Sequence, residues 1–216
     1  MNIVVLGPQG SGKGTQAKKI AATYGIPHIA TGEILRTAMA EETPLGLLVK
    51  PIYDAGRLVP DDLIVSLIRE RLADPDTEAG FVLDGFPRTM AQAEALDAML
   101  REIGKEIDVV FVLQVPEEVA IERLLRRADL EGRADDTPES IATRLGLYRS
   151  ETEPLVEHYR TKGKVVGVHG DRSENEVFSE IQQVLEQAAQ RLVRASGPVE
   201  GVRGNREVPP TPSVTK

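Results

Sequence analysis

The residues best suited to chemistry come early. Gly7-Pro8-Gln9-Gly10-Ser11-Gly12-Lys13-Gly14-Thr15 directly follows the apolar run Ile3–Leu6. Glycines at this spacing let backbone N–H groups converge on one point, and a helix beginning at Gly14 would add the positive end of its dipole. Lys13 brings a full charge to the same place. The combination fits a phosphate group. From Gly7 to Lys13 the spacing matches the phosphate-loop pattern G-x-x-x-x-G-K-[ST], whose last residue supplies a magnesium-binding hydroxyl. Here Gly14 stands in that position and Thr15 comes one place late, so the loop is a variant with its own chemistry.

Three further groups of residues bear on that reading. In FVLDGFPRT, Phe81–Thr89, Asp84 ends an apolar strand-like run, at the edge where parallel α/β sheets bind ligands. Asp84 can hold magnesium there through water. Gly85 permits close backbone approach, Pro87 stiffens the turn, and Arg88 can grip a phosphate with two parallel hydrogen bonds. The plainer alternative is that Asp84 caps the next helix and Arg88 is a surface residue. Arg123, Arg126 and Arg127 stand at i, i+3 and i+4, so they share one helical face, and Arg133, Arg144 and Arg149 follow. They form either a solvated face paired with Glu117, Glu118 and Glu122 or a basic cluster that needs an anion; the phosphate loop favours the second. In HIATGEILR, His28–Arg36, Thr31 can cap a helix, although Ile34 takes the place where a capping box has Glu or Gln. His28 reads as structural, and no two histidines have the spacing of a zinc pair.

These residues need a scaffold, and the apolar pattern supplies one. Strand-like runs occupy Asn2–Leu6, His28–Ile29, Phe81–Leu83, Val109–Val115 and Lys164–Val168. Helical patterns occupy Gly14–Tyr24, Thr31–Ala40, Leu45–Ala55, Asp61–Ala73, Thr89–Ile103, Glu117–Arg127, Pro138–Tyr159 with a break near Pro154, and Glu174–Leu192. Alternating strands and helices predict an α/β fold with a parallel five-stranded sheet covered on both faces. The long helical stretch between the second and third strands predicts a small helical insertion. Ala128–Asp136 is polar and short, and Thr137-Pro138 after it is a helix-start signal. Residues 196–216 are rich in Gly, Pro, Ser and Thr with almost no apolar pattern, which predicts a disordered tail without a catalytic role.

Composition narrows the function classes. The 216 residues carry a net charge of −8 and are 41% hydrophobic, 28% charged and only 4% aromatic. That disfavours bulk attraction to nucleic acid or anionic lipid, and base-stacking platforms are scarce. The absence of cysteine removes disulfides, thiolate catalysis and Cys-based zinc sites, and fits a cytoplasmic protein. No segment has the roughly 20 apolar residues of a membrane span.

GPQGSGKGTQA, TGEILR, DAGRLVPDDL, GFVLDGFPRTMAQAE and RADDTPESIATRL, in this order and at these separations, resemble the signature segments of the adenylate kinases. The resemblance runs from Met1 to about Ala189. It implies a P-loop kinase domain over residues 1–195, with a monophosphate-binding insertion at 30–59 and a short lid at 127–136. It also implies a monomer that transfers a phosphoryl group reversibly from MgATP to AMP to give two ADP, maintaining the adenine nucleotide balance. The family's loop reads G-x-x-G-x-G-K-G-T, so Gly14 is the family's variant; magnesium there is held by phosphates and water, with Asp84 an outer partner. Gly10, Ser11, Gly12, Lys13, Gly14 and Thr15 would cradle the ATP phosphates. Thr31, Arg36, the backbone of Arg57, Leu58 and Val59, then Gly85, Phe86, Pro87, Arg88 and Gln92 would form the monophosphate site. The Gln92 amide would read the adenine edge, where uridylate/cytidylate kinases tend to carry Asn. Arg123 and Arg127 would face ATP, Arg133 and Arg144 would converge on the transferred group and the AMP phosphate, and Gly170 would touch the ATP base through its backbone. With Lys13 and Arg88, those four arginines form the implied catalytic set. A kinase acting on UMP or CMP is the nearer alternative, and a non-catalytic nucleotide-binding protein the more distant one.

Overall fold

The computed structural model describes residues 1–133 and 135–195. The tail expected at 196–216 lies outside the described residues. The strands are β1 (Asn2–Leu6), β2 (His28–Ala30), β3 (Phe81–Asp84), β4 (Val109–Gln114) and β5 (Val165–His169). They form one all-parallel sheet in the order β2-β3-β1-β4-β5. The central strand β1 is buried along its whole length. Its Val4 and Leu6 join a core with Leu83, Val110 and Val112, and the two-residue period of a strand turns Ile3 and Val5 to the opposite face, where they are buried too. Continuous apolar runs are what a sheet covered on both sides requires.

The register aligns the strand ends that matter. Val5 pairs with Asp84, Ala30 with Asp84, and Leu6 with Val112. The loop after β1, the end of β2 and the Asp84–Gly85 corner therefore meet at one carboxyl edge, beside the central strand that has β3 on one side and β4 on the other.

Nine helices occupy the described residues: α1 (Lys13–Tyr24), α2 (Thr31–Ala40), α3 (Pro44–Asp54), α4 (Asp61–Leu72), α5 (Met90–Glu102), α6 (Glu117–Glu131), α7 (Pro138–Leu147), α8 (Pro154–Arg160) and α9 (Glu174–Ala195). Helix α7 starts as its sequence predicts, with the Thr137 side chain accepting from the Ser140 N–H and Pro138 in the first turn. A second core of Leu124, Ile141 and Leu145, with Ile121 against it, joins α6 to α7. The residues between β2 and β3 do form helices. Of these, α2 and α3 pack together, with Gly46 against the Ala38 carbonyl.

Two local expectations are corrected, and a third, the break near Pro154, is given its cause. Helix α6 continues through Glu131 and stops at Gly132, whose φ of 62° is left-handed. Its apolar period fades after Leu125, but Ala128, Leu130 and Glu131 are strong helix formers and carry the helix on to the glycine. The irregular part of the 127–136 stretch is thus shorter than the polar sequence suggests. The break near Pro154 is a π turn over Tyr148–Thr152, closed by the Glu153 N–H on the Tyr148 carbonyl at 2.8 Å. Pro154 has no N–H to return to Ser150, so an ordinary α turn would be left incomplete there. Thr31 does not cap α2: Ala30 holds the cap position without a side-chain bond, because the Thr31 hydroxyl donates to the Gly85 carbonyl at 2.9 Å.

The chain divides into two compact units, Met1–Gln182 and Gln183–Lys216. The first contains the whole sheet; the described part of the second is the later portion of α9. Among the described residues no helix is long and apolar enough to cross a membrane.

A methyl group on Gly46 would lie 2.0 Å from the Ala38 carbonyl oxygen, so α2 and α3 would have to separate. Gly46→Ala is expected to cost about 2 kcal/mol, a fall in Tm of roughly 4–8 °C by thermal melting. An unchanged Tm would show that the two helices can part freely.

Candidate active site

A cleft of about 680 Å³ opens at the carboxyl edge of the sheet. The loop from Gly7 to Thr15 lines it, except for Pro8. So do His28, Arg36, Tyr53, Arg57, Asp84, Gly85, Pro87 and Arg88 from the β2–β3 side of the sheet, and Arg123, Arg126, Arg127, Arg133, Arg144 and Gly170 from the later elements. The concentration of guanidinium groups contrasts with the net negative charge of the chain.

The loop is packed so that its shape is fixed. A side chain on Gly10, whose φ is 82°, would sit 2.3 Å from the Ala120 carbonyl oxygen in the first turn of α6; only glycine fits. Lys13 folds back over its own loop, with Nζ donating to the carbonyls of Gly7 at 2.7 Å and Pro8 at 2.8 Å. Burial, with lesser help from Arg88 and Arg127 and against the pull of Asp84, lowers the Lys13 pKa to about 8. Ser11 Oγ and Gln9 Oε1 are buried without a hydrogen-bond partner among the described residues.

Gly14 owes its identity to Asp84. A Cβ at position 14 would stand 3.3 Å from Asp84 Oδ2, so a side chain there would fill the space in front of the carboxylate. Burial alone would raise the Asp84 pKa. The His28 ring 3.5 Å away, Lys13 and Arg88 outweigh it and hold the carboxyl below its usual range. An ionised carboxylate facing open space suits magnesium bound through its water. Among the described residues no group of three or more His, Cys, Asp or Glu could enclose a metal.

On the β2–β3 side, Arg36 donates to the Tyr53 hydroxyl at 2.7 Å. Arg57 is exposed at the cleft, while Val59 and Phe86 turn their side chains into the core. Leu58 lines a small neighbouring cavity with Arg88 and Arg144. Arg88 Nε donates to the Gly85 carbonyl at 2.8 Å. Burial lowers the Arg88 pKa, against Tyr53 and Asp84, and the group stays charged. Thr31 and Gln92 are not brought into the cleft as free side chains. Gln92 is 2% exposed; its Oε1 accepts from the Arg88 N–H at 2.7 Å and its Nε2 donates to Asp61 Oδ1 at 2.7 Å. The other Asp61 oxygen accepts from Thr89 Oγ1. A donor-only neighbour on one side and an acceptor on the other fix the amide's orientation.

Three of the later arginines, Arg123, Arg127 and Arg144, are tethered. Arg123 donates to the Gly170 carbonyl at 2.8 Å, and the Gly170 N–H bonds to the Gln114 carbonyl at the end of β4. Arg127 meets Asp136 through two nitrogens at 2.8 and 2.9 Å. Arg144 reaches Asp136 and Asp135, each at 2.8 Å, and lies over the Tyr53 ring. Burial would raise the Asp135 pKa, but Arg144, with Arg133, holds it down. Asp135, Asp136, Tyr53 and His28 were not anticipated as site residues. The Asp-Asp pair just before the Thr137-Pro138 helix start was the available signal for the two carboxylates; for His28, which opens β2, the sequence carries none.

Comparison with known proteins agrees with this geometry. The family model described as "Adenylate kinase" matches residues 5–164. An adenylate kinase of Cyanothece sp. is 48% identical over 185 residues, covering 86% of this chain and 95% of its own length. One from Thermus thermophilus is 49% identical over 183 residues, covering 85% and 96%. One from Archaeoglobus fulgidus is 43% identical over 213 aligned positions, covering 86% of this chain and 98% of its own length; because that alignment is longer than the part of this chain it covers, the archaeal protein contains residues that this chain lacks. With the family model spanning the loop, the Asp84–Arg88 corner and the arginine cluster, and the relatives covering most of the chain, the chain belongs to the adenylate kinase family.

Proposed function

We propose that this chain catalyses reversible phosphoryl transfer from MgATP to AMP, giving two ADP. The observation that carries the reading is one cleft in which Lys13 and the phosphate loop face Arg88, Arg123, Arg127, Arg133 and Arg144. A single phosphate does not need so many cations; two phosphate chains meeting end to end do.

In the proposed reaction an oxygen of the AMP phosphate attacks the γ-phosphorus of ATP, and the bond from that phosphorus to the β–γ bridging oxygen breaks. The incoming phosphate is already a nucleophile, so no general base is required. Residues 10–15 cradle the donor phosphates, and Lys13 and Arg88 balance charge on the migrating group. Arg123 and Arg127 face ATP, and Arg133 and Arg144 face the migrating group and the acceptor phosphate. Magnesium, when bound, offsets charge on the donor phosphates, and Asp84 holds its water. Arg36, the Arg57–Val59 backbone, Gly85–Arg88 and the remaining donor and acceptor of the Gln92 amide form the AMP pocket, with residues 30–59 as the closing insertion. The stretch 127–136 acts as a short lid, a reading supported by its place at the cleft, where Arg127, Leu130, Arg133 and Asp135 line it. Closure of both keeps water from the γ-phosphate. A cytoplasmic monomer is the accompanying proposal, the location supported by the absence of cysteine and the monomer by the family resemblance.

Three outcomes test this reading. Initial rates with MgATP against AMP, UMP, CMP and GMP should show ADP formation dependent on AMP and magnesium, with the other acceptors far slower. A pyrimidine preference would overturn the role of Gln92, and no transfer at all with ATP still bound would make the chain a binding protein. Lys13→Met and Arg88→Ala should each lower kcat/KM by at least two orders of magnitude, for the loss of roughly 3–5 kcal/mol of charge stabilisation in a dry site; a loss below tenfold would remove that residue from the mechanism. The Lys13 pKa of about 8 sets the sign of a pH effect: the catalytic charge is present below that pH and lost above it. kcat/KM should therefore fall as pH rises through about 8, and Lys13→Arg should abolish that limb. A wild-type profile flat to pH 10 would contradict it.

A further inference from the structure

We propose that Thr152 is a positioning residue for the proposed reaction, acting through Arg88. The proposal rests on the phosphate-gripping role given to Arg88 above.

Thr152 lies 64 residues from Arg88 in sequence, on the π turn Tyr148–Thr152. It is 7% exposed, and its Oγ1 donates to the Arg88 carbonyl at 2.9 Å. Three contacts therefore hold Arg88: the Gln92 amide on its N–H, the Thr152 hydroxyl on its carbonyl, and the Gly85 carbonyl on Nε. None of these partners is charged. The two terminal nitrogens of Arg88 make no hydrogen bond with protein among the described residues. Arg127 and Arg144, in contrast, are bound to the carboxylates of Asp135 and Asp136. Arg88 is thus fixed in place by dipoles while its charge stays available to a phosphate. A guanidinium recruits two phosphate oxygens at once only if its plane is held still, and the geometric tolerance of such a contact is tight.

The π turn explains how Thr152 reaches that position. A turn widened by one residue rotates everything after it by about 100° relative to an unbroken α-helix. Pro154 enforces the wider turn by lacking the N–H that an α turn would need. Thr152 is the last residue of that widened turn, and there its hydroxyl meets the Arg88 carbonyl. The same turn contributes Tyr148 and Thr152 to the lining of the cleft, so the chain after α7 is coupled to the corner after β3 through one hydroxyl.

The test is a double-mutant cycle on steady-state rates with MgATP and AMP. Thr152→Val removes the donor at nearly constant volume and should lower kcat about tenfold, the usual weight of one buried hydrogen bond, with KM for ATP unchanged. Thr152→Ser should restore kcat to within about twofold. In an Arg88→Ala background Thr152→Val should change the residual rate by less than about twofold, because the group it positions is gone. A full tenfold loss in that background, or no loss in the wild type, would overturn the proposal. So would a defect that Thr152→Ser fails to repair. Should Thr152→Val lose its cooperative thermal transition, Thr152→Ala provides the same comparison without added bulk at Cγ. Absence of transfer in the unmodified chain would instead sink the kinase reading, and the cycle would then be read on AMP affinity by titration calorimetry. There, loss of affinity in Thr152→Val but not in the Arg88→Ala background supports the positioning role, and equal losses overturn it.

Discussion

The site depends on holding several cations close together in directions that a ligand can use. Like charges in a partly dry cleft repel, and each pays a desolvation penalty. The chain meets this in two ways. Lys13, Arg88 and Arg123 are gripped by main-chain carbonyls, of Gly7 and Pro8, of Gly85, and of Gly170. A carbonyl fixes the direction of a cation yet leaves its full charge for a ligand. Arg127 and Arg144 are held instead by Asp136 and Asp135, so a phosphate that recruits them must compete with a carboxylate. The first group is a fixed binding surface. The second is a set of charges that can change partner.

Fold and charge are the same problem seen at two scales. Those carbonyls exist at the cleft because the strands end there: Gly7 after β1, Gly85 after β3, Gly170 after β5. Peptide groups beyond the last ladder bond have no sheet partner and must find another. The carboxyl edge of a parallel sheet is thus a natural row of acceptors for lysine and arginine. The register that pairs both Val5 and Ala30 with Asp84 brings the carboxylate next to the loop, and Gly14 leaves the space between them clear.

Much of this was legible in the sequence. Buried strands announce themselves as apolar runs, and the glycines and Lys13 mark the loop by spacing that only a phosphate explains well. The helix start at Thr137 follows from local capping chemistry. What could not be read is partner choice. Gln92 has a neighbour at Asp61, 31 residues away, and no local rule points there. The Asp135 and Asp136 carboxylates lie in a polar stretch where α6 ends one turn later than its apolar period implies, so their reach to Arg127 and Arg144 depends on tertiary packing of α6 on α7. The π turn that aims Thr152 follows from Pro154 only once the turn before it is known to be helical. His28 looks like an ordinary strand residue until β2 is placed beside β3.

The central claim is that donor and acceptor phosphates meet in this single cleft. It is tested most directly by titration calorimetry with two adenosines joined through five phosphates, compared with ATP and AMP alone. The account predicts one molecule bound per chain with an affinity at least ~100-fold beyond that of either nucleotide, as expected when two sites are filled by one linked ligand. Two molecules bound per chain, or an affinity no better than that of ATP, would mean that the two sites do not face each other and would contradict it.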